Sequence, residues 1–319
     1  MKNFKKHFVL LLILMPLVLY GQQEPMYGQY IFNSSVLNPA QAGADNTSHF
    51  GVLARNQWVG IDGAPKTETL YGNFRMPRDL GLSVGLYQDR LGPEVNLHFQ
   101  TDLAYHAQLS RTIYLAGGIR FNVSHLRVNL AELEHVDPRN PYFHENLSSG
   151  LQLNAGIGFL AYNQRTFVGL SLPRAFRNRV KITEADVVDF RKQEVRHLFL
   201  YGGTNIYLAG GEVTFTPSTL IKYGEDSPLQ MDLNAVFNFV DVLEAGLLLR
   251  SNLTSDNDWF DAVGFMAGIR LFEKWYFGYV YEHPLTSLRH ATRQTHEISL
   301  RFMWDQKYPT RVRSPRYFR

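Results

Sequence analysis

Apolar and polar residues alternate with a period of two along much of the chain. The longest example is 97–109, which reads L-H-F-Q-T-D-L-A-Y-H-A-Q-L. Its odd positions could face lipid, and its even positions are polar or small. This period indicates an extended strand with one apolar and one polar face. The segment is also long enough to cross a bilayer as a tilted strand, which takes about 9–11 residues.

The same pattern recurs in segment after segment. We count about 14, an even number, as single-chain bacterial barrels require. The pattern predicts an all-β fold, a transmembrane outer-membrane β-barrel of antiparallel strands over 48–304 with long extracellular loops. The preceding residues 22–47 have no sustained period and are expected to form an N-terminal coil or plug segment. The predicted strands are 48–58, 67–76, 80–89, 96–109, 111–125, 151–162, 165–172, 196–208, 213–223, 229–238, 243–251, 260–271, 275–282 and 296–304.

Connections between the predicted strands alternate in length. If the N-terminus is periplasmic, every second connection is a short periplasmic turn, such as the single residue Ser110. The long connections 126–150, 173–195 and 283–295 then all lie outside the cell. Short turns at one end and long loops at the other are typical of outer-membrane barrels. A soluble β-sandwich explains the period of two but not this order.

Composition changes the picture in two ways. The mean hydropathy of −0.21 is too polar for a helical membrane protein, while 17 Tyr and 22 Phe can supply the interfacial girdles of a barrel. The 319 residues include no cysteine, which excludes disulfides, cysteine-based metal sites and a cysteine nucleophile.

The two ends of the chain differ from the strands. Three lysines precede an apolar run too short to span a bilayer as a helix, which predicts a signal peptide over 1–21, cleaved between Gly21 and Gln22. Without those lysines the chain has 29 basic and 29 acidic residues, and this neutral balance gives no indication of nucleic-acid binding. The basic tail 305–319 is expected in the periplasm, either solvated or in contact with an acidic partner.

No motif in the sequence indicates catalysis. It contains no H-E-x-x-H and no P-loop, and its G-L-S-V-G stretch at 81–85 lies within a predicted strand rather than on a strand-to-helix elbow. His98, Asp102 and His106 share one inward face, but four residues along a strand span about 13 Å, too far for one metal ion. We expect no catalytic, cofactor-binding or metal-ligating residue and no enzyme, with a hydrolase at the barrel mouth as the weakest alternative.

Three motifs near the start of the chain are specific in series. They are Q-Q-E-P-M-Y-G-Q-Y-I-F-N at 22–33, L-N-P-A-Q-A-G at 37–43 and R-N-Q-W-V-G-I-D-G-A-P-K-T at 55–67. In this order they resemble the PorP/SprF family of outer-membrane proteins of the type IX secretion system. Weaker matches extend the resemblance over nearly the whole mature chain, at 169–173, 196–199, 276–281 and 296–300. The chain departs from the family pattern at Arg174, where the family often has His.

The resemblance implies a non-enzymatic role in protein secretion. Such proteins work with the secretion machinery of Bacteroidota, in some members for gliding adhesins. The implied partners are a secreted cargo protein with a C-terminal secretion domain, the type IX translocon, and periplasmic ring or peptidoglycan-binding components, besides the lipid bilayer. We therefore expect a barrel that binds or retains secreted cell-surface proteins; the alternative is a porin-like small-molecule channel or transporter.

Candidate partner-binding residues lie at the external end of the first predicted strand and in three predicted external connections. In the stretch 55–67, Gly and Pro fix the shape of the loop. An exposed Trp in this stretch is costly unless it packs into the lumen or meets a partner. The loop 126–150 is aromatic, and 173–195 carries basic and then acidic residues, which suits the orientation of a protein partner. A girdle position for the Trp and solvated loops are the alternatives. The candidates are Arg55, Gln57, Trp58, Gly60, Gly63, Pro65, Tyr142, Phe143, Arg174, Arg177 and Arg179.

Overall fold

Antiparallel strands form the wall of a closed barrel in the computed structural model. The structure describes residues 28–31, 34–45, 47–133, 146–184, 188–225, 227–254 and 259–304. The strands are β1 (Ser48–Asn56), β2 (Lys66–Met76), β3 (Leu80–Leu91), β4 (Glu94–Gln108), β5 (Tyr114–Asn129), β6 (Asn146–Ser148), β7 (Gln152–Tyr162), β8 (Thr166–Leu172), β9 (Arg179–Glu184), β10 (Val188–Gln193), β11 (His197–Thr204), β12 (Ile206–Leu208), β13 (Val213–Gly224), β14 (Gln230–Phe239), β15 (Leu243–Asn252), β16 (Phe260–Leu271), β17 (Trp275–Pro284) and β18 (Thr295–Trp304). Single turns of 3-10 helix lie at Gly28–Ile31, Ser34–Val36, Pro39–Gln41, Leu130–Leu133, Ala209–Gly211 and Ser287–His290. Among the described residues, no helix is long and apolar enough to cross a membrane.

Antiparallel pairing runs around the whole circumference. The wall is formed by all strands except β6, β9 and β10, with β11 and β12 counted as one. Each wall strand pairs with the next one along the chain, and β1 pairs with β18 to close the barrel. The short β12 continues β11 along β13. Outside the wall, β6 extends the edge of β5, and β9 and β10 form a separate hairpin. The predicted 14-stranded antiparallel barrel is confirmed.

The long connections all lie at one end of the barrel, which also carries the two-residue turn 92–93. The short ones, 77–79, 109–113, 163–165, 209–212, 240–242 and 272–274, define the short-turn end. The longest ones, 57–65, 130–151, 173–196 and 285–294, share the opposite end, which we call the long-loop end. Each of the fourteen predicted segments overlaps a wall strand. The three long connections inferred from the sequence lie together at one end, as predicted.

Two local expectations are corrected by the structure. The turn predicted at Ser110 alone occupies 109–113, because the Ser110 hydroxyl accepts the N–H groups of Thr112 and Ile113 at 3.3 and 3.1 Å. This side-chain cap ends the ladder before β5 begins. The predicted loops also contain the small strands β6, β9 and β10, which are too short for a period of two to be recognised.

The outer face of the barrel is apolar and the inner face is polar. In β4, Phe99 is 49% exposed while its neighbour His98 is 1% exposed. Such a continuous exposed apolar surface is unfavourable in water and matches a lipid-facing band. At the short-turn end the rings of Trp275, Phe302 and Trp304 pack in a row, as in an interfacial girdle. Other outward apolar side chains include Phe50, Leu70, Phe121, Ile157, Leu233 and Ile298.

Replacing Leu103 with arginine should destabilise the barrel in a bilayer. Leu103 is exposed on the lipid face of β4, and arginine near the bilayer midplane costs about 2 kcal/mol or more. Denaturant unfolding in liposomes measures the effect. The matched change Leu151→Arg, beyond the long-loop end of β7, should cost no more than about 1 kcal/mol. Equal losses for the two variants would contradict the assigned lipid band.

Candidate interaction surfaces

Six buried charged residues form a continuous belt in the half of the lumen nearer the long-loop end. Lys222 Nζ lies 2.6 Å from Asp232 Oδ2, and Arg250 Nε lies 3.1 Å from Asp232 Oδ1. Arg250 Nη1 also lies 3.2 Å from Glu282 Oε2. Arg55 Nη1 closes the series, at 3.0 Å from Glu282 and 2.9 Å from Glu297. We call these residues, Lys222, Asp232, Arg250, Glu282, Arg55 and Glu297, the charge belt.

The charge belt joins strands that are far apart in sequence. Its members occupy inward positions on β13, β14, β15, β17, β1 and β18. The intervening β16 presents the small residues Ala262 and Gly264, which pair with Arg250 and Glu282. Because these side chains are small, the guanidinium of Arg250 can reach across β16 to the next strand. The belt has three charges of each sign and is therefore neutral as a unit. Its ion pairs hold one side of the wall together.

The described N-terminal residues lie inside the barrel. Gly28 donates its N–H to Glu297 of the charge belt at 2.9 Å, and the residues 34–45 continue across the lumen toward the short-turn end. We call 34–45 the lumen segment. Its most buried members, each 0% exposed, are Asn38, Ala40, Ala42 and Ala44.

Glycines in the wall make room for the lumen segment. A Cβ on Gly118 of β5 would overlap the main chain of Pro39 and Ala40. A Cβ on Gly158 of β7 would overlap the Asn38 side chain. Asn38 in turn caps the turn Pro39–Gln41, because its side chain accepts the N–H of Ala40 at 2.8 Å. The wall and the segment are therefore fitted to each other at main-chain distance.

At the long-loop end, the connection 57–65 is fixed on both sides. The N–H of Val59 donates to the carbonyl of Gln294 at 2.8 Å, and the N–H of Gly92 donates to the carbonyl of Gly63 at 2.8 Å. The connection thus continues the hydrogen bonding of the barrel wall above the strands and forms a rigid part of the rim.

Trp58 occupies an unusual backbone conformation in this connection. Its φ of 52° lies in the left-handed region. This conformation is an outlier for a bulky residue, costs about 1–3 kcal/mol and persists only where the surrounding structure holds it. Its N–H donates to the Thr295 hydroxyl at 3.2 Å. The residue is half-buried, so part of the indole is presented at the rim from a fixed backbone position.

The connection 173–196 turns back into the barrel at its start. Arg174 is buried, and its Nη2 donates to the Tyr87 hydroxyl at 2.7 Å and lies 3.3 Å from His98 Nδ1. Its Nη1 lies 3.7 Å from Glu194 Oε1. The rings of Tyr87 and His98 stack with centroids 4.5 Å apart. Arg174 therefore ties the two ends of this loop to the wall.

Further along, the same loop is exposed and carries charge. Arg177 Nη1 lies 3.1 Å from Glu225 Oε2, and Arg196 pairs with the same carboxylate. The hydrogen bond from Arg196 lowers the pKa of Glu225. Phe176 beside them is 58% exposed, and Arg179 is exposed at the start of β9. This part of the rim is both apolar and charged.

The predicted site residues divide into three groups. Arg55 and Arg174 are buried in ion pairs inside the barrel, which corrects the expectation that they line a partner-binding surface. At the rim, exposed or half-buried, are Gln57, Trp58, Gly60, Gly63, Pro65, Arg177 and Arg179. Outside the described residues lie Gly21, Gln22, Tyr142, Phe143 and the tail 305–319. Within the part of the chain that the structure describes, no group of three or more His, Cys, Asp or Glu side chains could hold a metal ion.

Solved outer-membrane proteins are similar to this chain only distantly. Omp33 of Acinetobacter baumannii is 9% identical, with 82% of this chain and 100% of that chain covered and a TM-score of 0.47. The monoaromatic hydrocarbon channel CymD is 10% identical, with 89% and 94% covered and a TM-score of 0.49. A Pseudomonas aeruginosa FadL homologue is 11% identical, with 88% and 94% covered and a TM-score of 0.48.

The sequence itself matches a family model over most of its length. No curated relative matches the chain. The model for the type IX secretion system membrane protein PorP/SprF matches residues 19–302, a range that contains the lumen segment, the charge belt and the rim. The chain therefore belongs to the PorP/SprF family of type IX secretion system membrane proteins and is an outer-membrane β-barrel.

Proposed function

We propose that this barrel binds or retains secreted cell-surface proteins through their C-terminal secretion domain, as a component of the type IX secretion system. Surface adhesins, including gliding adhesins, are the cargo class that the family resemblance implies. The observation that carries the proposal is that the chain's own residues occupy the described lumen. A barrel filled in this way suits a holding role better than the passage of solutes.

Two features fill the lumen at different levels. The lumen segment crosses the half nearer the short-turn end, and the charge belt lies in the half nearer the long-loop end. The belt charges are paired with one another at 2.6–3.2 Å, so they are engaged in ion pairs within the wall. These features support a scaffold whose working surface is its rim.

The rim at the long-loop end supplies that surface, and we place it outside the cell. Trp58 is held there by the fixed connection 57–65, and rigid aromatic anchors contribute most to protein interfaces. Phe176 and Arg177 add an apolar and a charged group from the loop after β8. Charges of both signs at a rim orient a partner and raise its association rate.

Membership in the family supports contact with other secretion components. We propose the type IX translocon and periplasmic ring or peptidoglycan-binding components as those partners, reached from the short-turn end. Holding a cargo needs no bond to be made or broken, so the proposed role is not enzymatic.

Replacing Trp58 with alanine should weaken cargo retention while the barrel still folds. Truncation of an aromatic anchor commonly weakens binding by about tenfold or more, and the alanine leaves the connection 57–65 with its main-chain hydrogen bonds. Surface proteins that remain attached to cells can be quantified by protease shaving and mass spectrometry. Heat-modifiable migration of the barrel reports its folding.

Trp275→Ala is the matched control, since Trp275 is a partly exposed tryptophan at the opposite end of the barrel. It should leave surface attachment unchanged. Normal attachment in the Trp58→Ala strain, or equal losses in both strains, would exclude the rim around Trp58 as the cargo-binding surface.

A further inference from the structure

The wall of the barrel contacts the lumen segment largely through the main chain of the segment. Arg120 donates through Nη1 to the carbonyl of Val36 at 2.8 Å and through Nη2 to the carbonyl of Ser35. Ser171 donates its hydroxyl to the carbonyl of Leu37 at 2.7 Å. Three successive carbonyl groups are therefore bound by side chains of β5 and β8.

The other end of the segment is bound in the same manner. The Asn73 side-chain amide accepts the N–H of Gly43 at 2.6 Å and donates to the carbonyl of Gln41 at 3.4 Å. His106 Nε2 lies 2.8 Å from the carbonyl of Ala42. Contacts of this kind recognise an extended or turned main chain in the way that peptide-binding grooves do.

The groups that make these contacts are positioned by the wall. Arg120 is held by Asp102 on the neighbouring strand, through hydrogen bonds of 2.7 and 2.8 Å. His106 Nδ1 lies 2.9 Å from the Tyr162 hydroxyl. Because wall residues orient both side chains, the site does not need the lumen segment to assemble it, and a preorganised site binds more tightly.

Steric limits make the site selective. Ala40, Ala42 and Ala44 are each 0% exposed. A Cβ on Gly81 would overlap the carbonyl of Ala42, so the segment lies directly on the wall. Larger side chains at these alternate positions have no space without a shift of main chain.

We infer that the lumen is a peptide-binding site whose ligand is a short segment with small side chains at alternate positions, supplied here by residues 34–45 of the same chain. The segment is thus a ligand tethered to its own receptor, and its binding does not require a covalent link to β1. This inference is independent of cargo binding at the rim.

Exchange of the segment tests the inference on the full chain. A protease cleavage sequence is inserted between residues 45 and 48, and the barrel is folded before it is cut. The cut segment should remain bound through gel filtration and should be replaced by an excess of a labelled synthetic peptide of residues 34–45. The same peptide with Ala42→Leu should bind about tenfold or more weakly. Release of the cut segment without binding of the labelled peptide, or equal binding of both peptides, would overturn the inference.

Cysteine labelling gives a second measurement in the uncut protein. The chain has no cysteine, so single-cysteine variants are unambiguous. Ser35→Cys, a near-isosteric change at a residue 2% exposed in the site, should react with a maleimide at least about tenfold more slowly than Ser110→Cys on the exposed turn 109–113. Similar rates would place the segment outside the site and contradict the inference.

Discussion

Replacing Glu282 with glutamine is expected to destabilise the folded barrel by about 3–5 kcal/mol, the usual cost of removing one partner from a buried ion pair. Glu282 accepts hydrogen bonds from Arg55 at 3.0 and 3.1 Å and from Arg250 at 3.2 Å. Glutamine keeps the shape but removes the charge, which leaves two buried guanidinium groups under-compensated. Urea unfolding of the barrel in lipid vesicles measures the loss of free energy.

The control and the double variant make this result specific. Glu273→Gln, on an exposed turn at the short-turn end, should change the free energy of unfolding by no more than about 0.5 kcal/mol. Adding Arg250→Met to Glu282→Gln should cost less than the sum of the single changes, because one uncompensated charge is removed. Additive losses would mean that the charge belt does not act as a connected network.

Replacing Gly118 with valine should be nearly as damaging, with a loss of about 3–5 kcal/mol. Overpacking costs about 1–3 kcal/mol, and displacing Pro39 and Ala40 also weakens the hydrogen bonds from Arg120 to the neighbouring carbonyls, each worth about 1 kcal/mol or more. Thermal unfolding in detergent measures the change. We expect the lumen segment to leave the wall while the barrel keeps its heat-modifiable migration.

The adjacent glycine provides the control. Gly117 faces outward, and a Cβ there meets nothing within 4 Å. Gly117→Val should therefore leave the stability unchanged or raise it slightly, because valine favours strands. Equal destabilisation by both variants would show that the effect comes from β5 itself rather than from contact with the lumen segment.

Much of the barrel follows from the sequence because lipid and lumen impose opposite chemistry on alternate residues. In β4 this alternation places Phe99 outside and His98 inside, as the structure confirms. The elements that escaped prediction are those without such alternation. The turn 109–113 depends on a side-chain cap from Ser110, and the hairpin of β9 and β10 stands apart from the two-faced wall.

The candidate site was less predictable because its key contacts join distant parts of the chain. Arg55 follows Leu53 on the inward face of β1, so its direction could be read from the period of two. Its partner Glu282 lies 227 residues further on, and one sequence cannot supply that contact. Arg174 follows Pro173 at the end of β8, where no period remains to indicate that the loop turns inward.

The position of the N-terminal region could not be predicted for the same reason. Its lack of periodicity predicted a coil or plug but could not choose between the mouth and the lumen. The choice depends on the space left by Gly118 on β5 and Gly158 on β7, which lie four and five strands away from β1 around the wall. Such complementarity becomes visible only when the wall is closed.

A comparison of cell-surface proteins between a gene-deletion strain and its parent tests the proposed role most directly. Surface shaving with mass spectrometry should show that one or a few large secreted proteins are lost from the surface and return when the wild-type gene is restored. General type IX secretion should persist if the genome carries related copies. An intact surface proteome combined with reduced uptake of a small solute would contradict the account and would favour a channel.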